Sequence, residues 1–189
     1  MLKKDIRIDY LKKRMAQEEK VWVDNSARMR EHFLSLKFSP VRYILSYSPL
    51  NDRNEFDVSN CVDILKEKSP HIIIAWPRMD PDMKSMEAFQ VEHDGLYAKN
   101  KYNILEPLNG AFIPPKLFDV AIIPLLAFDK KGFRVGYGKG FYDRYLAQCR
   151  PDLLKIGFSF FDEKVEIDDI NEFDVPLNLC ITPSRIYEF

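Results

Sequence analysis

The chain predicts an α/β domain built on a mostly parallel sheet covered by helices. Continuous apolar runs such as "HIIIAW" (71–76) and "DVAIIPLLAF" (119–128) have no polar face, as strands buried on both sides require. Segments of helical period separate them, and strands alternating with helices give parallel sheets. The 189 residues are 46% apolar and 30% charged, enough for one core and a solvated surface, and disorder is not expected. We therefore read residues 1–189 as a single domain.

The elements follow in order. Residues 2–37 contain neither proline nor glycine and read as helix, divided into two in line, with Pro40 closing the region. "VRYILSY" (41–47) is β-branched and aromatic, hence a strand, and "SPLNDRNE" (48–55) is a polar turn. In "FDVSNCVDILKEK" (56–68) Val58, Cys61, Val62 and Leu65 recur at helical spacing, with Asp57 or Ser59 as the cap. After the strand 71–76, residues 80–105 mix short strands and turns, "SMEAFQV" (85–91) being one strand. The run 119–128 is a strand ending at or near Pro124. A helix is expected over 141–149, then strands at "KIGFSF" (155–160) and "LCIT" (179–182).

Composition excludes several classes. A net charge of −1 does not suit a general nucleic-acid binder, so any anion site must be local. Cys61, Cys149 and Cys180 form no CxxC pair, and His32, His71 and His93 are scattered, which argues against a disulfide scaffold and against zinc. A reducing, cytoplasmic setting and a monomer are expected. "MLKKDIRIDYLKKRM" has no apolar h-region, and Asp5 and Asp9 do not suit a transit peptide. The longest apolar run is too short to span a bilayer, so no membrane partner is expected.

The chemistry concentrates in "RVGYGKGFYDRYL" (134–146), which holds three of the seven glycines. It lies between a buried strand and a helix. Helix N-termini leave N–H groups unpaired, and glycine lets backbone approach a ligand without a Cβ in the way, so the unit is a candidate phosphate cradle. Lys139 supplies a mobile cation and Arg134 a bidentate one. It is not a P-loop, since Gly140 and Phe141 stand where the hydroxyl should follow the lysine, and G-x-G-x-G is not the dinucleotide spacing. An ordinary capped turn is the competing reading. Asp143, in the first helical turn, reads either as a partner of the helix dipole or as a magnesium ligand. The row Tyr142, Tyr145, Leu146 and Cys149 reads as core packing. On the first helix Lys3, Arg7 and Arg14 lie within roughly 40° of one another. They form either a solvated face or a stripe reaching the same anion.

"FDVAIIPLLAFDKKGFRVGYGKGFYDRYL" (118–146) closely resembles the signature of the 5-formyltetrahydrofolate cyclo-ligases. "KKDIRIDYLKKRM", "AWPRM", "YNILEP", "KIGFSF" and "EFDVPLNLCIT" are similar to other parts of that family, in order along the chain. The resemblance implies a three-layer α/β domain similar to the sugar-phosphate isomerase and CoA transferase fold. It implies ATP- and magnesium-dependent closure of 5-formyltetrahydrofolate to 5,10-methenyltetrahydrofolate, through a phosphorylated formyl oxygen. It implies an ATP site of Lys3, Lys4, Arg7, Arg134, Gly136, Tyr137, Gly138, Lys139, Gly140, Phe141 and Tyr142, with Lys139 and Arg134 acting on the transferred phosphate. Arg7, Ser46, Glu55, Tyr137 and Tyr142 would face the folate. Asp143 and Asp174 would hold magnesium, although Asp174 alone reads as a turn residue before Pro176. The chain departs from the pattern in a longer turn between Ser46 and Glu55, in Val58 for a threonine, and in Leu125 and Asn103 for glycines. Two other readings stay open: an enzyme acting on another phosphorylated small molecule, and a binding module that holds nucleotide or folate without turnover.

Overall fold

The structure, a computed structural model, describes residues 1–189 other than 39, 81, 83 and 92–94. His93 and part of the expected 80–105 region therefore lie outside the described residues. The N-terminal region forms α1 (Lys3–Met15) and α2 (Glu19–Ser35), broken at residues 16–18. Then come β1 (Tyr43–Leu45), a 3-10 turn (Asn51–Arg53) and α3 (Ser59–Lys68). Asp57 Oδ1 accepts the Ser59 N–H at 2.9 Å, so the expected residue serves the start of α3. Strands β2 (Ile73–Met79), β3 (Met86–Gln90), β4 (Tyr97–Lys99), β5 (Leu105–Pro107) and β6 (Ala111–Phe112) follow. The second half holds β7 (Val120–Pro124), β8 (Ala127–Phe128), β9 (Arg134–Val135), α4 (Phe141–Leu146), β10 (Leu154–Phe158), β11 (Leu179–Ile181) and β12 (Ile186–Glu188).

Eight strands make the main sheet in the order β12-β11-β10-β7-β1-β2-β3-β6. The five in the middle, β11 to β2, run parallel, and antiparallel strands complete both edges. The alternation of the buried strands explains the layering. On β7, Val120 and Ile122 face Met29, Phe33 and Val62 of α2 and α3, whereas Ala121 and Ile123 face Phe118, Tyr145 and Leu146. Ile44 and Leu45 of β1 divide in the same way. Helix α1 packs apart, placing Ile6 and Tyr10 on Leu126, Ala127 and Val135.

Several elements differ from the sequence reading for local reasons. The run 119–128 breaks after Pro124, and Ala127–Phe128 leave the sheet to pair with β9 in a two-stranded ribbon. Helix α4 covers six residues, not nine, because 147–149 tighten into turns. Strand β2 extends to Met79, through Pro77. Ile73 and Ala75 bond toward β1, so Pro77 faces the same side, where β1 has already ended and no donor is missed. No helix among the described residues is long and apolar enough to cross a membrane.

Candidate active site

Topology sets the place. Strands β1 and β7 are neighbours, but the chain leaves β1 toward β2 on one side and β7 toward β10 on the other. The crevice beyond the carboxyl ends of two such strands is where open α/β sheets bind ligands. A cavity of about 680 Å³ lies there. The turn after β1 contributes Tyr47, Ser48, Leu50, Arg53 and Glu55, and the segment after β7 contributes Arg134 and residues 136–143. Helix α1 adds Lys3, Lys4 and Arg7, the β4–β5 region adds Tyr102 and Ile104, and the late loop adds Asp169 and Asp174. Six cations and four carboxylates line the cavity, so a chain of net charge −1 concentrates positive charge here.

The glycine loop is built around Arg7. The guanidinium Nε donates to Gly136 O at 2.8 Å. Gly138 has φ +82°, and a Cβ there would stand 2.7 Å from Arg7 Cζ. Backbone conformation and the close approach of a cation both demand glycine at this position. Gly140, φ +67°, turns the chain into α4. That helix is short, so any anion held here would depend on the loop N–H groups and the converging cations more than on a helix dipole. Lys139 is exposed and makes no ion pair among the described residues; its Nζ lies 5.3 Å above the Tyr102 ring centroid.

The two aspartates meet through Val175. Asp143 Oδ1 accepts from Arg134 Nη2 at 2.9 Å and from the Val175 N–H at 3.1 Å. Asp174, the preceding residue, pairs through Oδ2 with Lys3 Nζ and accepts the Asn171 N–H at 2.7 Å. Asp143 Oδ2 and Asp174 Oδ1 carry no bond among the described residues. No group of three or more His, Cys, Asp or Glu able to hold a metal ion occurs among the described residues. Two carboxylates with a spare oxygen each suit a magnesium ion that draws its remaining ligands from phosphate and water. Asp143 lies in the first turn of α4, as the helix-dipole reading requires, and pairs with Arg134 as well.

A second polar group, centred on Glu55, lines the same cleft. Glu55 is 4% exposed. Its Oε1 accepts from Tyr137 Oη at 2.8 Å, and its Oε2 accepts the Leu50 N–H at 2.9 Å. Burial pushes its pKa up, while Arg14, the Leu50 N–H, Tyr137 and Arg53 oppose that rise. Burial, with Glu55 next, also raises the phenols of Tyr137 and Tyr142, which stay protonated donors.

Of the residues singled out in the sequence, Lys3, Lys4, Arg7, Glu55, Arg134, Gly136, Tyr137, Gly138, Lys139, Gly140, Phe141, Tyr142, Asp143 and Asp174 all line this cavity. Ser46 does not. It is fully buried, its N–H bonds Ala75 O, and its hydroxyl has no partner. It continues β1 under the sheet, while the next residues, Tyr47 and Ser48, reach the cleft. The sequence reading did not single out Arg53, Tyr102 or Asp169. Arg14 is read there only as part of the stripe with Lys3 and Arg7, a solvated face being the other reading, and it is buried.

Residues 1–183 match the model of the 5-formyltetrahydrofolate cyclo-ligase family. A 5-formyltetrahydrofolate cyclo-ligase of Escherichia coli K12 is 38% identical over 93 residues, 48% of this chain and 51% of that protein. One from Mycoplasma genitalium is 41% identical over 73 residues, 39% of this chain and 44% of that protein. These alignments thus span about half the length of the curated relatives or less. A 5,10-methenyltetrahydrofolate synthetase structure from Mycoplasma pneumoniae superposes with a TM-score of 0.77 at 27% identity, covering 96% of this chain and 98% of that one. The Aquifex aeolicus synthetase gives 0.81 at 24% identity over 100% and 93%, a likeness of fold alone. With the family model extending across nearly all of the sequence, the chain belongs to the 5-formyltetrahydrofolate cyclo-ligase family.

Proposed function

We propose that the protein closes 5-formyltetrahydrofolate to 5,10-methenyltetrahydrofolate at the expense of ATP, releasing ADP and phosphate. The observation that carries this reading is the convergence of Lys3, Arg7, Arg134 and Lys139 with Asp143, Asp174 and Glu55 on one cleft.

A formyl oxygen is a poor leaving group until it is phosphorylated. In the first step it attacks the γ-phosphorus of ATP; the new O–P bond forms as the bond to ADP breaks. In the second, the neighbouring folate nitrogen attacks the formyl carbon and loses its proton. The C–O bond then breaks, and phosphate departs with the electron pair. Neither step needs a side-chain nucleophile; both need positioning and neutralised charge.

The residues divide accordingly. Lys139, exposed and without an acidic partner, follows the transferring phosphoryl group. Arg134, 6% exposed in its side chain, is fixed by Asp143 and Val175 O and presents a rigid cation. Arg7 supports the loop from beneath and, with Lys3 and Lys4, faces the nucleotide phosphates. Gly136, Gly138 and Gly140 keep the loop backbone open to them. Asp143 and Asp174 would hold magnesium, which supplies positive charge against the phosphate oxygens. Glu55, Tyr137 and Tyr142 bound the folate end, and Phe141 packs beside the nucleotide.

Purified protein with 5-formyltetrahydrofolate, ATP and magnesium should develop methenyl absorbance only when all three are present. Nucleotide binding without that absorbance overturns the reading and leaves a binding module or another substrate.

A further inference from the structure

We infer that Arg14 is a positioning residue for the Glu55 side of the cleft: it fixes the Tyr137 hydroxyl, which in turn orients the Glu55 side chain toward an N–H-rich heterocycle. The inference rests on the folate reading above, and its geometry is drawn from this chain's own residues.

Arg14 is 2% exposed. Its neighbours on α1, Lys12 and Lys13, are exposed, so burial of this one basic residue calls for a cause. No carboxylate pairs with it among the described residues. Its Nε donates to Arg53 O at 2.8 Å, Nη1 to Leu125 O at 3.4 Å and Nη2 to Tyr137 Oη at 2.5 Å. One guanidinium thereby joins α1, the long turn after β1, the exit from β7 and the glycine loop.

Tyr137 passes the interaction on. Its hydroxyl accepts from Arg14 and donates to Glu55 Oε1 at 2.8 Å. A fork-to-fork ion pair would occupy both carboxylate oxygens. With the phenol interposed, one donor meets each oxygen, and each keeps a lone pair for a ligand. Arg53, 5.0 Å from the Tyr137 ring centroid, and Arg14, at 5.9 Å, flank the ring and hold it in place.

The groups facing Glu55 are Arg14 from α1, Arg53 from its own turn, Tyr137 from the loop, Tyr47 from the end of β1 and Tyr142 from α4. Burial favours the protonated acid, and Arg14 is the largest influence against it. Removing Arg14 leaves burial less opposed, so Glu55 keeps its proton to higher pH. A protonated Glu55 has lost acceptor capacity on the oxygen that carries the proton.

The test uses Arg14→Gln and Tyr137→Phe in the full chain. In ligand-free protein, carbon-13 carboxyl titration should show the Glu55 midpoint move up in Arg14→Gln, and less so in Tyr137→Phe. In turnover, the KM for 5-formyltetrahydrofolate should rise about 10- to 100-fold, as loss of a charged hydrogen bond implies, while the KM for ATP changes little. The acid limb of the pH profile should shift to higher pH. The double variant should lose less than the sum of the two single losses, since Arg14 and Tyr137 are bonded to one another. An unmoved Glu55 midpoint, or equal rises in both KM values, overturns the assignment. If Arg14→Gln does not fold, Tyr137→Phe decides, and an unchanged folate KM there is the overturning result. If the wild type does not turn over the folate, the functional reading falls and the titration alone judges Arg14.

Discussion

Gly138 and Gly136 sit two residues apart in the same loop, and the structure gives them different reasons to be glycine. In Gly138→Ala the new Cβ would lie 2.7 Å from Arg7 Cζ and 2.8 Å from Nη2, with φ at +82°. The left-handed conformation alone costs about 1–2 kcal/mol for an L-residue. The contact must also displace the guanidinium, which loosens its 2.8 Å bond to Gly136 O. A hydrogen bond to a charged group contributes about 1.5–3 kcal/mol, so misplacing Arg7 should weaken nucleotide binding by about 10- to 100-fold. Gly136→Ala meets nothing in the protein nearer than Pro124 O at 3.9 Å, and its φ is ordinary. Its stability should stay within about 0.5 kcal/mol of wild type, or rise slightly as the unfolded chain loses freedom. If a phosphate lies against Gly136, this variant should still lose nucleotide affinity.

Thermal melts and calorimetric titration with ADP and magnesium separate the two effects. Gly138→Ala should lose both stability and affinity, and Gly136→Ala affinity only. A Gly138→Ala protein with unchanged melting and unchanged affinity would refute the wedge between the loop and Arg7. A Gly136→Ala protein that melts early but binds normally would show that the protein, not the ligand, requires that glycine.

Lys139→Ala should lower turnover by at least about 100-fold at an unchanged melting temperature, since the side chain is exposed and makes no ion pair among the described residues; near wild-type rates would remove it from the phosphate path. Asp143→Asn should raise the magnesium concentration for half-maximal rate by about tenfold, as a lost charged ligand implies; an unaltered metal titration would leave Asp143 as a partner of Arg134 only. Gly157→Ala would place a Cβ 2.3 Å from Leu125 Cδ2 and 2.7 Å from Leu177 Cδ1, an overpacking cost of about 1–3 kcal/mol. Adding Leu125→Ala, which alone costs about 2–5 kcal/mol, should give a double variant more stable by about 1 kcal/mol than additivity predicts in denaturant melts; strict additivity would refute the contact. Burial pushes the Cys61 thiol up to about 12 and the Cys149 thiol up to about 11. Native alkylation should therefore be very slow at pH 8 and accelerate at alkaline pH, half-buried Cys149 before Cys61, as mass spectrometry can follow.

What the sequence revealed follows the range of the physics involved. Strands buried on both faces announce themselves, and "DVAIIPLLAF" stops being sheet at Pro124 as its composition suggests. The ribbon of β8 and β9 has two residues per strand, too few for any period, and only its pairing defines it. The glycine loop was visible because its chemistry is local. The partnership of Lys3 with Asp174 spans 171 positions, and no pattern within either segment points to the other; resemblance to a family put both at one site, but not as an ion pair. Ser46 was misplaced because neighbouring residues at the end of a strand point to opposite sides, so a shift of one position exchanges cleft for core.

The departures from the family pattern turn out to have structural counterparts. Asn103 stands at φ +63°, in the left-handed region that asparagine tolerates better than most residues. Leu125 occupies the space above Gly157, so one glycine position has become a side chain packed on another glycine. The turn after Ser46 is different in kind, because it lines the cleft. It delivers Arg53 to the wall, sets its ring contact on Tyr137 and offers its carbonyl to Arg14. Leu50, in the same turn, donates its N–H to Glu55. Differences in substrate preference between this protein and its relatives should therefore arise at the Glu55 end. The phosphate end, built from the glycine loop, Lys3 and Arg7, should behave alike across them.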